Sequence, residues 1–232
     1  MEPFERSHPE DLLDGLSPGV IPEAVLTKIR EFTATKNLYV SAVREIATKL
    51  ENLNDEFHYT KDRNPIHSIQ TRIKTSKSIA DKLLRLGMPL SVDSAMENLG
   101  DIAGIRVICS YINDIYLIAD LLTSQADIEL IRITDYIKNP KPNGYRSLHL
   151  DVKIPVFQST RTVMVTAEIQ IRTIAMDFWA SLEHELAYKL SESGTQAFAS
   201  ELKSCADVIA ETDKRMQTLY DLTRRENGNN VT

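Results

Sequence analysis

Asp101 and Glu168 are two carboxylates that can meet on neighbouring strands although they stand far apart in the chain. Two acids beside several cations are what a Mg²⁺ site for phosphate chemistry needs, because Mg²⁺ takes few protein ligands and fills its shell with water and phosphate oxygens. The competing reading is two surface acids in weak salt bridges, each worth ~0–1 kcal/mol. The acids by themselves leave both readings open. The cations are concentrated: residues 61–85 hold Lys61, Arg63, Arg72, Lys74, Lys77, Lys82 and Arg85 against only Asp62 and Asp81, in a chain of net charge -6. Such local charge in an acidic protein points to a phosphate-bearing ligand, although a solvated helix face can be basic too. A second basic group, Lys138, Lys141 and Arg146, lies in the connection 135–146 with Pro140, Pro142 and Asn143-Gly144. Those turn formers predict a mobile loop able to close over phosphates. Tyr145 offers a ring on which a base can stack, an interaction worth ~1–3 kcal/mol per base in comparable cases.

Several familiar devices are missing. There is no G-x-x-x-x-G-K-[ST], no G-x-G-x-x-G and no H-E-x-x-H, and His184-Glu185 lacks a second His at the required spacing. Cys109 and Cys205 stand far apart without a C-x-x-C, which argues against a disulfide framework or structural zinc and fits a reducing cytoplasm. Cys109 reads as a small core or site-facing residue. A pI near 5.5 argues against a protein that coats nucleic acid. No signal peptide or run of about 18 apolar residues occurs, so a cytoplasmic protein is expected.

The elements that must position these residues are legible in the hydropathy pattern. The chain has 232 residues, 42% of them hydrophobic, enough for one sizeable core with helical extensions. Residues 1–21 are dense in Pro and Gly and read as a flexible lead. Ile29, Phe32, Lys36, Tyr39, Val43, Ile46, Leu50, Leu53 and Phe57 fall at three–four steps, predicting a long helix within the N-terminal extension 22–61. Its stripe must lie against another helix, another subunit or the central domain. Phe198, Leu202, Cys205, Ile209, Thr212, Met216 and Leu219 repeat the pattern in a C-terminal helical extension over 191–226, followed by a tail, 227–232.

The catalytic domain is placed at 62–190. Residues 68–86 read as a basic helix, 113–125 as a second and 174–190 as a closing helix that buries Phe178, Trp179, Leu182 and Leu186. Period-two runs at 104–112, 128–134, 147–155 and 162–172 read as strands. The last strand sorts Val163, Val165, Ala167, Ile169 and Ile171 onto one face and Met164, Thr166, Glu168, Gln170 and Arg172 onto the other. The strand before it opposes Leu148, Leu150, Val152 and Ile154 to Ser147, His149, Asp151 and Lys153, and Arg106 is out of phase with Ile105 and Val107. The fold expected is α+β: a mixed β-sheet flanked by helices, with one apolar and one charged face.

Asp101-Ile-Ala-Gly-Ile-Arg106, Asp135-Tyr-Ile, Lys141-Pro-Asn-Gly-Tyr-Arg-Ser-Leu-His149, Glu168-Ile-Gln-Ile-Arg-Thr173 and Met176-Asp-Phe-Trp179 with Glu183-His184 resemble, in order and spacing, the synthetase domain of the RelA/SpoT family. The wording is closer to the RelP branch of the small alarmone synthetases than to RelQ, and the His-Asp hydrolase signature of the long enzymes is not found. The resemblance implies a nucleotidyltransferase-like fold and transfer of pyrophosphate from ATP to the ribose 3′-hydroxyl of GDP or GTP, giving guanosine tetra- or pentaphosphate and AMP, without hydrolysis. Carried over position by position, it implies that Asp101 and Glu168 hold Mg²⁺ and that Glu168 accepts the hydroxyl proton. Arg72 and Arg106 sandwich adenine, and Lys74, Ser78 and Lys82 face the ATP phosphates. Tyr145 stacks on guanine with Asn143 nearby, while Lys138, Lys141, Arg146 and His149 approach the guanosine nucleotide's phosphates. Gln170 and Arg172 are supporting residues. At 132–135 the chain reads Arg-Ile-Thr-Asp where the long enzymes carry a charged motif, which leaves metal and GDP-versus-GTP preference open. A homo-oligomer, such as the family's tetramer, is expected. Two other classes remain: the same chemistry on a different acceptor such as the 3′ end of tRNA, which the acidic charge disfavours, and a silent binding scaffold, which the intact acids disfavour.

Overall fold

The computed structural model describes residues 23–189 and 196–229, so the lead expected over 1–21 lies outside the described residues. In chain order the elements are α1 (Glu23–Thr60), β1 (Ile66–Ile73), α2 (Ser76–Arg85), α3 (Val92–Asn98), β2 (Ala103–Cys109), α4 (Ile112–Thr123), β3 (Glu129–Asp135), β4 (Leu148–Phe157), β5 (Thr162–Thr173), α5 (Ile174–Lys189) and α6 (Gln196–Asn229). The strands form one mixed sheet in the order β1-β2-β5-β4-β3, in which only β2 and β5 run parallel. This is the α+β architecture expected of the sequence.

The apolar face of the sheet is the core. Leu150, Val152, Ile154, Val165, Ala167, Ile169 and Ile171 are all buried, as the alternation required. α1 lies across β1, β2, β5 and β4, so its stripe covers the chain's own sheet. Val43, Ile46 and Leu50 are fully buried there, each worth ~1.5–3 kcal/mol relative to exposure.

Three expectations are corrected. The helix read over 68–86 is a strand followed by a helix: β1 pairs with β2 through Ile73, and α2 starts only after Thr75, whose side chain caps it by accepting from the Ser78 amide at 3.2 Å. Ile69 and Ile79 fit a helical period, but Ile69, Thr71 and Ile73 also alternate, and pairing with β2 decides in favour of the strand. The closing helix buries Met176 and Trp179, while Phe178 is 58% exposed and Leu182 and Leu186 face outward. On α6 the stripe is also out of phase: Cys205, Thr212, Met216 and Leu219 are exposed, and the docked face is Ala206, Asp213 and Gln217 with Tyr220 half-buried. That face is held by specific polar bonds that an apolar period does not register. Thr173 Oγ1 donates to Asp213 at 2.6 Å, the Asn113 amide to Gln217 at 2.9 Å, Arg63 Nε to Tyr220 at 3.0 Å and Trp179 Nε1 to the Leu202 carbonyl at 3.0 Å. The short helix α3 has no counterpart among the sequence-based expectations.

Candidate active site

Cross-strand partners share a face, and the register lays the site out in rows. Arg72, Gly104, Glu168 and Asp151 form one row across β1, β2, β5 and β4; Gln70, Arg106, Gln170 and His149 form the next. Gly104 leaves a gap between Arg72 and Glu168, where an added Cβ would meet nothing nearer than the Arg72 carbonyl at 3.6 Å. Around that gap lies a cleft of about 430 Å³ shared by Arg72, Lys74, Asp101, Arg106, Glu168 and Gln170. Asp101 precedes β2 by two residues. The two acids separated in sequence thus stand in one cleft because β2 and β5 are parallel neighbours.

Asp101 gives Oδ2 to Lys74 at 2.5 Å and to Lys82 at 2.7 Å. Burial pushes its carboxyl up, but the two lysines outweigh that and hold it below the usual carboxylate range. Its Oδ1 is buried and has no hydrogen-bond partner among the described residues. Glu168 accepts from Gln170 Nε2 at 2.6 Å and faces His149 Nδ1 at 3.2 Å. Burial raises its carboxyl too, yet the hydrogen bonds from His149 and Gln170 bring the net shift below the usual range against the opposing influence of Asp101. Both acids are held ionised. An orphaned carboxylate oxygen beside a second ionised carboxylate fits Mg²⁺, which needs only one or two protein carboxylates when phosphates complete its shell. Among the described residues no group of three or more His, Cys, Asp or Glu offers an all-protein cage.

The guanidiniums form a second layer. Arg106 Nη1 lies 3.3 Å from Gln70 Oε1 and 3.4 Å from Asp177, and burial followed by the nearby Arg172 charge lowers its pKa. Arg172 is buried and donates to Asp177 at 3.2 Å, to Gln170 Oε1 at 2.8 Å and to the Tyr145 hydroxyl at 2.6 Å. Tyr145 meets His149 Nε2 at 2.8 Å. The sequence motif Met176–Trp179 gives Asp177 no role; only the fold, by placing the first turn of α5 beside β5 and β2, brings it to both arginines.

The remaining expected residues are dispersed. Lys141 Nζ lies 4.9 Å from the Tyr145 ring centre and 4.7 Å from that of Tyr136, so a base stacking on Tyr145 must share these contacts. Lys138 is 71% exposed, 3.3 Å from Asp135 and over the Tyr116 ring. Asn143 donates to Glu183 at 3.2 Å and accepts from the Tyr145 amide. Ser78 bonds Thr75 at the start of α2 and does not line the cleft. Arg146 turns away from the cleft, donating to the carbonyls of Gly144 and Ala206 and to Asp207 at 3.0 Å, because the loop is docked on α6. Burial holds the Cys109 thiol far above its ordinary pKa, so it is a core residue.

Residues 71–193 match the model of the region found in RelA/SpoT proteins. The chain is 42% identical to the GTP pyrophosphokinase YwaC of Bacillus subtilis over 179 residues, 77% of this chain and 85% of that one. It is 34% identical to the GTP pyrophosphokinase YjbM of the same organism over 181 residues, 78% and 84% of the two chains. Among solved structures, small alarmone synthetase 2 from B. subtilis superposes with a TM-score of 0.75 at 40% identity, covering 82% of this chain and 98% of that one. Small alarmone synthetase 1 bound to its product pppGpp gives a TM-score of 0.77 at 31% identity, covering 83% and 97%. With its strand rows, its paired acids and more than half its length matched, the chain belongs to the RelA/SpoT family, among the relatives of the small alarmone synthetases.

Proposed function

We propose that this protein is a (p)ppGpp synthetase that transfers pyrophosphate from ATP to the ribose 3′-hydroxyl of GDP or GTP and releases AMP. The observation that carries the reading is the pair Asp101 and Glu168, both ionised, in one cleft with Arg72, Lys74 and Arg106. Phosphoryl-type transfer needs in-line positioning and neutralised charge on the equatorial oxygens far more than a covalent nucleophile. Arg72 and Arg106, on adjacent rows of β1 and β2, flank the adenine. Lys74 and Lys82 turn from Asp101 toward the ATP phosphates. Asp101 and Glu168 would hold Mg²⁺, which supplies charge neutralisation between the two nucleotides. Glu168 accepts the 3′-hydroxyl proton as the new bond forms, held ionised and oriented by the hydrogen bonds from His149 and Gln170. Tyr145, with Lys141, Asn143 and Lys138 around it, receives the guanosine nucleotide. Arg146, tied to α6, supports that loop from behind.

Residues 62–190 form the catalytic domain in this reading, and the helical extensions serve assembly. Among the described residues Val208, Met216, Leu219 and Leu222 make an exposed apolar stripe on α6, and Phe178 and Leu182 are exposed on α5, which suits a homo-oligomer. Among the described residues no helix is long and apolar enough to cross a membrane, which agrees with a soluble, cytoplasmic enzyme.

Purified protein with ATP, GDP or GTP and Mg²⁺ should yield AMP together with the tetra- or pentaphosphate in equal amounts. Glu168→Gln should reduce kcat by about a thousandfold or more, ~4 kcal/mol, with the fold intact. Absence of AMP from the wild-type reaction overturns the reading.

A further inference from the structure

β5 runs into α5 without a connecting loop: Thr173 is the last residue of the strand and Ile174 the first of the helix. The direction in which α5 leaves the sheet is therefore set at one residue. Thr173 is fully buried and serves both elements. As a strand residue it pairs with Cys109 of β2, and as a helix cap its Oγ1 accepts from the Met176 amide at 3.1 Å. The first amides of a helix have no intrahelical acceptor, and a threonine hydroxyl at this place supplies one.

A hydroxyl carries one hydrogen, so its partner as a donor decides what its lone pairs can do. Thr173 Oγ1 donates at 2.6 Å to Oδ2 of Asp213, which stands on α6 and is itself 5% exposed. With the hydrogen committed to Asp213, the lone pairs are left for the Met176 amide. The next residue in that turn is Asp177, which Arg106 Nη1 meets at 3.4 Å and Arg172 Nη1 at 3.2 Å. Both arginines keep a buried Nε without a hydrogen-bond partner among the described residues. Their placement thus depends on the donors they do use, and the Asp177 carboxylate is the anion they share.

We propose that Asp213 and Thr173 are positioning residues for the nucleotide cleft. Asp213 orients the Thr173 hydroxyl, the hydroxyl caps α5, and the capped turn holds Asp177 where it fixes Arg106 and Arg172. Neither Thr173 nor Asp213 lines the cleft, so their action runs through Asp177. The inference rests on the ATP site proposed above and adds that α6 helps to shape it.

The test measures ATP binding by titration calorimetry, and steady-state kinetics, on the full chain. Thr173→Val keeps the shape and removes both bonds; the Kd and KM for ATP should rise about fivefold, with a smaller loss in kcat. Thr173→Ser keeps the hydroxyl and should restore wild-type affinity. Asp213→Leu should match Thr173→Val, whereas Asp213→Asn still offers an acceptor and should bind ATP as the wild type does. In the Asp177→Asn background Thr173→Val should add less than about twofold, because both act through one carboxylate. Gln217→Leu loosens α6 at the Asn113 amide, away from Thr173, and should leave the KM for ATP unchanged.

Unchanged ATP affinity in Thr173→Val and Asp213→Leu overturns the proposal, and so does an equal loss in Gln217→Leu, since any loosening of α6 would then suffice. Should the valine and leucine variants not fold, Thr173→Cys against Thr173→Ser decides: the weak thiol should raise the Kd for ATP about twofold or more, and equal affinities overturn the proposal. A wild type that binds ATP but releases no AMP removes the catalytic reading and leaves the affinity test in force. A wild type that releases AMP, with insensitive variants, removes only the positioning role.

Discussion

Arg172 Nη2 lies 2.6 Å from the hydroxyl of Tyr145, and this contact fixes the direction of a hydrogen-bond chain that ends on Glu168. A guanidinium only donates, so the Tyr145 oxygen accepts from it and directs its own hydrogen to His149 Nε2 at 2.8 Å. His149 then carries its proton on Nδ1 and donates to Glu168 Oε1 at 3.2 Å. The chain presents Glu168 as an acceptor with one oxygen steadied.

Tyr145→Phe keeps the ring and removes the relay. The imidazole is then free to take the other tautomer, and Glu168 loses its oriented donor. We expect kcat to fall about tenfold, ~1.4 kcal/mol, with little change in the KM for ATP. Steady-state kinetics with each nucleotide varied separately checks this, and an unchanged kcat contradicts it.

Asp177 is the shared counter-ion of Arg106 and Arg172, at 3.4 and 3.2 Å. Asp177→Asn preserves shape and removes the charge between two guanidiniums, so they repel and Arg106 leaves its place in the cleft wall. The KM for ATP should rise about tenfold, more than kcat falls. A kcat loss with unchanged KM would show that Asp177 acts elsewhere.

Gly144 has φ +92, and a Cβ there would stand 2.5 Å from the Ala206 Cβ. Gly144→Ala meets both a backbone penalty and a clash with α6, together ~1–3 kcal/mol. The melting temperature should fall by roughly 2–4 °C for each kcal/mol. Because the loop also carries Tyr145, the KM for GDP should rise in the same variant.

Asp213 is buried with Thr173 as its donor, and burial raises its carboxyl above the usual value. A folded pKa above the unfolded one, about 3.9, means that ionisation opposes folding, with the penalty absent at low pH and complete above the folded value. Asp213→Asn should therefore raise the melting temperature at pH 7.5, with the gain shrinking as pH falls toward about 4. A gain that grows on acidification would contradict this sign.

Leu219 and Val208 stand in the exposed stripe of α6, at 56% and 65% exposure. Leu219→Glu with Val208→Glu should shift the particle mass seen by light scattering to smaller species while the helical circular dichroism is retained. A wild-type monomer at micromolar concentration removes the oligomer proposal.

The sequence by itself determined the strands and their faces, because side chains alternate at a fixed period of two and the inner rows of β4 and β5 are uniformly apolar. It also carried the motifs around Asp101 and Glu168 whose resemblance to a family implied the chemistry, although the two acids as residue types left a metal site and surface salt bridges equally open. Tertiary structure decided everything that depends on which segments meet. The strand β1 was hidden inside a helical period until pairing with β2 claimed Gln70 and Arg72. Asp177 meets Arg106 and Arg172 only because α5 brings it to them, and the donors of Arg146 turn to Ala206 and Asp207 because the loop docks on α6. The docked face of α6 is polar, so no hydropathy period announces it; hydrogen bonds between distant residues select it, and those exist only once the chain has folded.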